Sequence, residues 1–424
     1  MFPPVSRRSW FNGSLITLVL LAAASAGVLA YGTDPYWGQF HRGMGLILFT
    51  QRLQWVLLTV SLLCCLAVVG MIVIGGRRVF WLIALGPVLA LFAHRILSNP
   101  MRQFAILDNP PGVHADAANF LRDEDDIVGI TLKDAAWAYP YATLYSGPVI
   151  LQSSHEQRFI VLWSAFANRA LAFKVDYEVR FNELSIASMP ANALLVYNAR
   201  SGQFINGITG LTTRGEKPSG FHAVIQTQKM TWGQWKALHP ETQVVPSRDS
   251  RREPSAPVLP RHALPDGTAH HSTTQPSTER VIFVATTRPV AIPVAAVNAA
   301  PANVAVGETQ ILMFRDGASG VLHAFDRHVD GDLCPFFHRK IDPKHIAVAL
   351  EDNDSGSVWS AEGKCLDGPF KGKQLQHVPV EDGVYWGVMS YWYPDVTWTT
   401  PREPTGPAPT FTTPAEPKKR TRRR

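Results

Sequence analysis

Two long uncharged stretches near the start of the chain limit what it can fold into more than any other feature. Residues 14–31 (SLITLVLLAAASAGVLAY) and 53–76 (LQWVLLTVSLLCCLAVVGMIVIGG) hold no acidic or basic side chain. Each approaches the roughly 20 apolar residues with which a helix crosses about 30 Å of hydrocarbon. Inside lipid only helices and closed barrels satisfy their own backbone, and unbroken apolar runs select helices. A third run, 79–97, is interrupted by Gly86-Pro87 and reaches spanning length only if Arg95 snorkels to the interface. A buried or re-entrant segment is the alternative for it. Residues 1–98 are therefore expected to form a transmembrane region with helices at about 14–31, 53–76 and 79–97.

Arginine placement orients these helices. Arg7 and Arg8 precede the first and Arg77 and Arg78 separate the second from the third, so both pairs belong on the cytoplasmic side. Arg42 and Arg52 weaken the bias without reversing it. Everything after about residue 98 is then expected outside the cytoplasm. Ala24-Ser25-Ala26 also resembles a cleavage site, so the first segment could be a signal peptide, and the C-terminal part would still face outside.

Composition matters beyond that point. The run from Lys418 to Arg424 (KKRTRRR) holds six of the 40 basic residues, which accounts for the whole excess over 34 acidic ones. The net charge of +6 belongs to this tail, and no nucleic-acid-binding face is expected. The Pro/Thr-rich basic segment 399–424 is expected to be disordered, with an anionic surface as a candidate partner beside the lipid bilayer itself. Cys64 and Cys65 lie in an apolar run. Cys334 and Cys365 fit no zinc spacing, and whether they pair stays open.

Residues 246–280 are rich in Pro, Ser, Thr and charge and read as a flexible linker. His270-His271 within it reads as a solvated pair. The flanking segments, 99–245 and 281–398, match each other at an offset of 152 to 154. Ala138-Tyr139-Pro140 answers Ala291-Ile292-Pro293, Ala172-Phe173 answers Ala324-Phe325, and Ser201-Gly202 answers Ser355-Gly356. Trp232-Gly233 answers Trp386-Gly387, and Pro240 answers Pro394. Matches in order at a nearly constant offset argue for duplication. Each half reads as short strands, giving a mainly β soluble part built from two similar halves. A hairpin is expected over 311–316 and 321–325 around Gly317 to Gly320, and Asp330-Gly331 after it is a second turn signal. Helices are expected at 115–121 and after Thr231, whose capping-box partner is Gln234, with Pro240 ending the second.

These residues resemble the family called domain of unknown function 3179, over roughly 105–398. The segments DEDDIVGI, AWAYP, RALAF and TWGQWKALHPET carry the likeness in the first half. In the second half they are HAFDRHVDGDL, DSGSVWSAEGKCLDGPFKGKQL and YWGVMSYWYPDVTW. The resemblance implies an exported or membrane-attached bacterial protein with a two-half β-rich domain and no particular reaction; with the spans above, the expected place is the bacterial inner membrane. In the family a His-Glu, an Asn-Asp and two cysteines three apart occupy the first half. Here those positions hold Gly147 and Pro148, Leu151 and Gln152, and Ser164 and Ala167.

The densest polar cluster is Asp326, His328, Asp330, Asp332, Cys334 and His338, which fits no EF-hand spacing and reads as strand, turn and strand rather than as a metal site. Asp352 and Asp354, in EDNDSGS, read as turn formers. Trp163, Trp232, Trp359, Trp386 and Trp392 read as core. No nucleophile elbow, P-loop or dinucleotide fingerprint is present, and no cofactor or metal ligand is assigned. Catalytic residues stay unknown. A non-catalytic binding or interaction module is expected, with an enzyme of unassigned reaction as the alternative.

Overall fold

A computed structural model of the chain describes residues 7–34, 43–75, 79–133, 135–154, 157–247, 275–297, 300–306, 309–316, 320–334, 337–341 and 348–401. The tail from 402, most of the linker, His270-His271 and the Arg42, Arg77 and Arg78 positions lie outside the described residues. So does the side chain of His338.

Helix α1 (Arg7–Gly32) and helix α2 (Gly43–Gly75) are long and apolar enough to cross a membrane. They cross closely: a Cβ on Gly32 would stand 1.9 Å from Thr50 Oγ1. Ser61 and Thr50 satisfy their hydroxyls on the α1 carbonyls of Ala22 and Val28. The third apolar run differs from expectation. Val79–Leu85 winds as a 3-10 helix, and α3 (Gly86–Leu97) begins where Pro87 enters its first turn. Proline lacks the N–H that a continuous α-helix would use there, so the run divides at that point. Helix α2 also starts ten residues before the apolar window. The added turns carry Ile47, packed with Ala187, Leu195 and Phe204 of the β-rich part, and Gln51, which donates to Ala187 O at 3.3 Å.

Beyond the helices the chain is β-rich and forms two compact units that cut across chain order. One comprises residues up to Val294 together with Val380–Trp398; the other is built on Ala295–Pro379. The first unit holds a hairpin sheet in which Asp126–Leu132 pairs with Ala135–Pro140 and with Thr227–Thr231, both antiparallel, while Gln243–Val244 adds in parallel. Helix α4 (Trp232–Leu238) bridges the last two strands. Its Thr231–Gln234 capping box forms as expected, and it stops at His239, before Pro240. The expected helix at 115–121 reduces to a single 3-10 turn, Ala115–Ala117. Val113–His114 is held as a strand against Gln243–Val244, and the backbone leaves helical geometry at Ala118.

A second sheet of the same unit has the same plan. Arg280–Val284 pairs antiparallel with Val290–Pro293 and with Val380–Tyr385, Thr397–Trp398 adds in parallel, and helix α5 (Trp386–Trp392) bridges. The agreement extends to single bonds 154 residues apart. Trp232 N and Gly233 N donate to Asp125 O (2.8 Å) and Asp123 O (3.0 Å), and Trp386 N and Gly387 N donate to Glu279 O (2.8 Å) and Ser277 O (2.9 Å). A Cβ on Gly233 or Gly387 would strike Asp123 or Ser277, at 2.9 and 2.6 Å.

The remaining strands form meanders. In the first unit Val149–Ser154, Gln157–Ser164 and Arg169–Val175 run antiparallel, as do Leu184–Ser188, Leu195–Asn198 and Gln203–Asn206. The second unit holds Ala302–Val306, Thr309–Arg315 and Leu322–Asp326, then Phe337–Ile341, Val348–Asp352 and Val358–Trp359. The expected hairpin is the pair Thr309–Arg315 and Leu322–Asp326, and the separate Asp330-Gly331 turn joins His328–Val329 to Asp332–Leu333. Buried Trp163, Trp232 and Trp386 stand in the first unit and buried Trp359 in the second, each removing roughly 1.5–3 kcal/mol worth of apolar surface from water. Trp392 is half-buried and donates to Ala191 O at 3.1 Å.

Candidate functional site

The cluster of polar residues between 326 and 334 does not converge. Asp326 Oδ1 pairs with His328 Nδ1 at 2.6 Å, while Asp330 Oδ2 turns to Lys373 Nζ at 2.7 Å. Cys334 is buried in the core of the second unit with Phe325, Trp359 and Cys365, and burial pushes its thiol up to about 12. Cys334 and Cys365 both stand as free thiols. Among the described residues no three His, Cys, Asp or Glu side chains come together as a metal site would require. Asp352 makes a turn. Its Oδ1 accepts from the N–H groups of Asp354 (3.2 Å) and Ser355 (2.7 Å), and Trp359 Nε1 donates to its other oxygen at 3.3 Å. Asn198 does the same 154 residues earlier, accepting from Arg200 (3.0 Å) and Ser201 (3.4 Å).

The first unit contains a constellation that local reading of the sequence missed. Strand Thr227–Thr231 of the first helix-bearing sheet lies beside Val380–Tyr385 of the second, and charged residues gather at this seam. Arg169, 3% exposed, donates to Glu381 Oε1 at 2.6 Å and to Tyr393 Oη at 2.9 Å. Its guanidinium also lies 5.1 Å from the Phe283 ring centre. The adjacent Asn168 adopts a left-handed conformation, accepts from Tyr141 Oη at 2.8 Å and donates to Gly383 O at 2.8 Å. Lys229 donates to Asn168 O. Burial lowers the Lys229 amine to about 8 against the opposing pull of Glu381 and Asp382. Burial raises the Asp126 carboxyl to about 6, and Arg280 partly offsets this. The one sequence signal was charge at strand positions, where alternation calls for apolar side chains.

The family comparison bears on this part of the chain. The family model described as a protein of unknown function (DUF3179) matches residues 104–396. The chain belongs to the DUF3179 family. Comparison with curated proteins and with solved structures found no match.

In this DUF3179 chain, the positions at which the resemblance implied a His-Glu, an Asn-Asp and paired cysteines are filled with core. Gly147, Pro148, Leu151 and Ala167 are buried. Gln152 donates to Asn109 Oδ1 at 3.1 Å, and Ser164 Oγ accepts from Leu194 N at 3.1 Å. Of the six only Ser164 carries a hydroxyl, and its oxygen is engaged by the Leu194 N–H; the other five offer no titratable or nucleophilic group.

Proposed function

We propose that this protein is a non-catalytic binding or interaction module, held on the outer face of a membrane by its N-terminal helices. The observation that carries the reading is the filling of those six first-half positions by packed, internally bonded residues. The charged seam supports it too, because Arg169 spends its contacts on Glu381, Tyr393 and Phe283. Helices α1 and α2 support the anchor by length and composition, and the arginines at 7, 8, 77 and 78 support the orientation. The basic residues 418–424 add attraction to an anionic surface.

We further infer that the two halves arose by duplication. The shared order of the two helix-bearing sheets supports this, as do the paired bonds of Trp232 with Trp386 and of Asn198 with Asp352.

The enzyme reading has one feature of its own: burial moves Lys229 down to about 8 and Asp126 up to about 6, the direction in which catalytic groups are tuned. Topology is tested by reporters joined after Gly406. A periplasm-active reporter is expected to work there and a cytoplasm-active one to stay silent; the opposite pattern ends the outward orientation.

A further inference from the structure

At the end of the helices nearest the β-rich part, α1, α2 and α3 line an open cavity of about 500 Å³. That size suits a ligand rather than a packing defect. Its wall is largely apolar, with Leu29, Leu58 and Phe92 contributed by the three helices in turn. Arg95 and Arg102 bring two positive charges to the same cavity, and among the described residues no acidic side chain lines it. Arg102 is tied to the last turn of α3 by donation to Ile96 O at 3.3 Å. Trp55, also lining the cavity, is 73% exposed, as is usual for a tryptophan at a membrane–water boundary.

Paired guanidiniums recognise a phosphate, and apolar walls between helices recognise hydrocarbon. A free phosphate would leave the wall unused, and a zwitterionic lipid would bring its own cation up against the two arginines. We propose that this cavity binds an anionic phospholipid, its phosphate between Arg95 and Arg102 and its acyl chain along Leu29, Leu58 and Phe92. This rests on the membrane-anchored reading. It places the lipid at the boundary between the anchor and the β-rich part.

The test is native mass spectrometry of the full chain released from mild detergent with phosphatidylglycerol or phosphatidylcholine. Retention of phosphatidylglycerol is expected to exceed that of phosphatidylcholine. The Arg95→Gln/Arg102→Gln variant should lose affinity for phosphatidylglycerol by about thirtyfold. Both proteins keep the basic C-terminal run, so its attraction cancels. Leu58→Trp fills the wall while keeping both arginines and should lower retention as well, which covers a charge variant that fails to fold. Equal retention of the two lipids, or unchanged retention in both variants, overturns the proposal. So does displacement of the lipid by inorganic phosphate alone. Alkaline carbonate extraction of membranes separates the two readings. A protein that is washed off has no anchor, whereas one that stays without preferring the anionic lipid loses only the proposed site.

Discussion

Arg169 shows how much one side chain can depend on distant partners. It is 3% exposed, so its charge is removed from water and must be matched by Glu381 and Tyr393. Arg169→Met leaves the half-buried Glu381 without its cation and should cost about 3 kcal/mol. Arg169→Met with Glu381→Met removes both charges and should cost less than Arg169→Met alone. Urea denaturation of the three proteins measures this, and additive losses would show that the pair does not interact.

Lys229 gives a sign that can be checked against pH. Its amine falls to about 8 in the folded chain from an ordinary 10.5. Below about 8 both folded and unfolded states carry the charge, and the full cost of burying it is present. Between about 8 and 10.5 the unfolded state holds more protons, so stability from this group rises with pH. The denaturation midpoint should therefore gain more from pH 8 to 10 in the parent chain than in Lys229→Gln. A parallel pair of curves would remove the shift.

The two helix-bearing sheets solve one packing problem in two ways. Gly129 lies under Trp235, and a Cβ there would come within 2.2 Å of the indole. At the matching positions of the second sheet stand Phe283 and Met389, a large strand residue opposite a slimmer helix residue, in one core cluster. The polar partner changes with it: Trp235 Nε1 donates to Thr242 Oγ1 at 2.9 Å, and the matching residues, Met389 and Val396, are both apolar. Gly129→Phe should destabilise the fold by about 3 kcal/mol through overpacking. Adding Trp235→Met should restore part of that loss, measured as the shift in thermal midpoint. Failure of the second change to recover any stability would mean that the two sheets do not pack alike. Elsewhere a shared turn fits the same account. Gly210 and Gly363 both have positive φ, and each lies against a Phe, Phe173 or Phe325. A side chain at either glycine would meet strain and collision together.

On the scale of the whole chain, the N-terminal helices cover part of the β-rich part. Ile47 of α2 packs on Ala187, Leu195 and Phe204, and Gln51 bonds to the Ala187 carbonyl. A chain beginning at residue 98 loses this cover and exposes the patch. It should self-associate in light scattering at micromolar concentration, and Phe204→Ser should reduce the effect. A monodisperse monomer without that substitution would show that the contact matters little.

Local chemistry made several elements legible from the residues alone. Charge-free runs marked α1 and α2, Thr231 and Gln234 announced α4, and two apolar runs around Gly317 to Gly320 announced a hairpin. Each depends on neighbours within a few positions, where spacing decides which groups meet. The failures have the opposite character. The 3-10 segment before Pro87 and the single turn at 115–117 reflect strand pairing and a missing N–H against a locally helical pattern. The split of the second half came from Val380–Tyr385 returning to pair with Arg280–Val284 across about a hundred residues. Arg169 and Glu381 are 212 positions apart and share no local signature. Burial and charge pairing at such separations follow from which sheets lie side by side, and that is settled only when the whole chain packs.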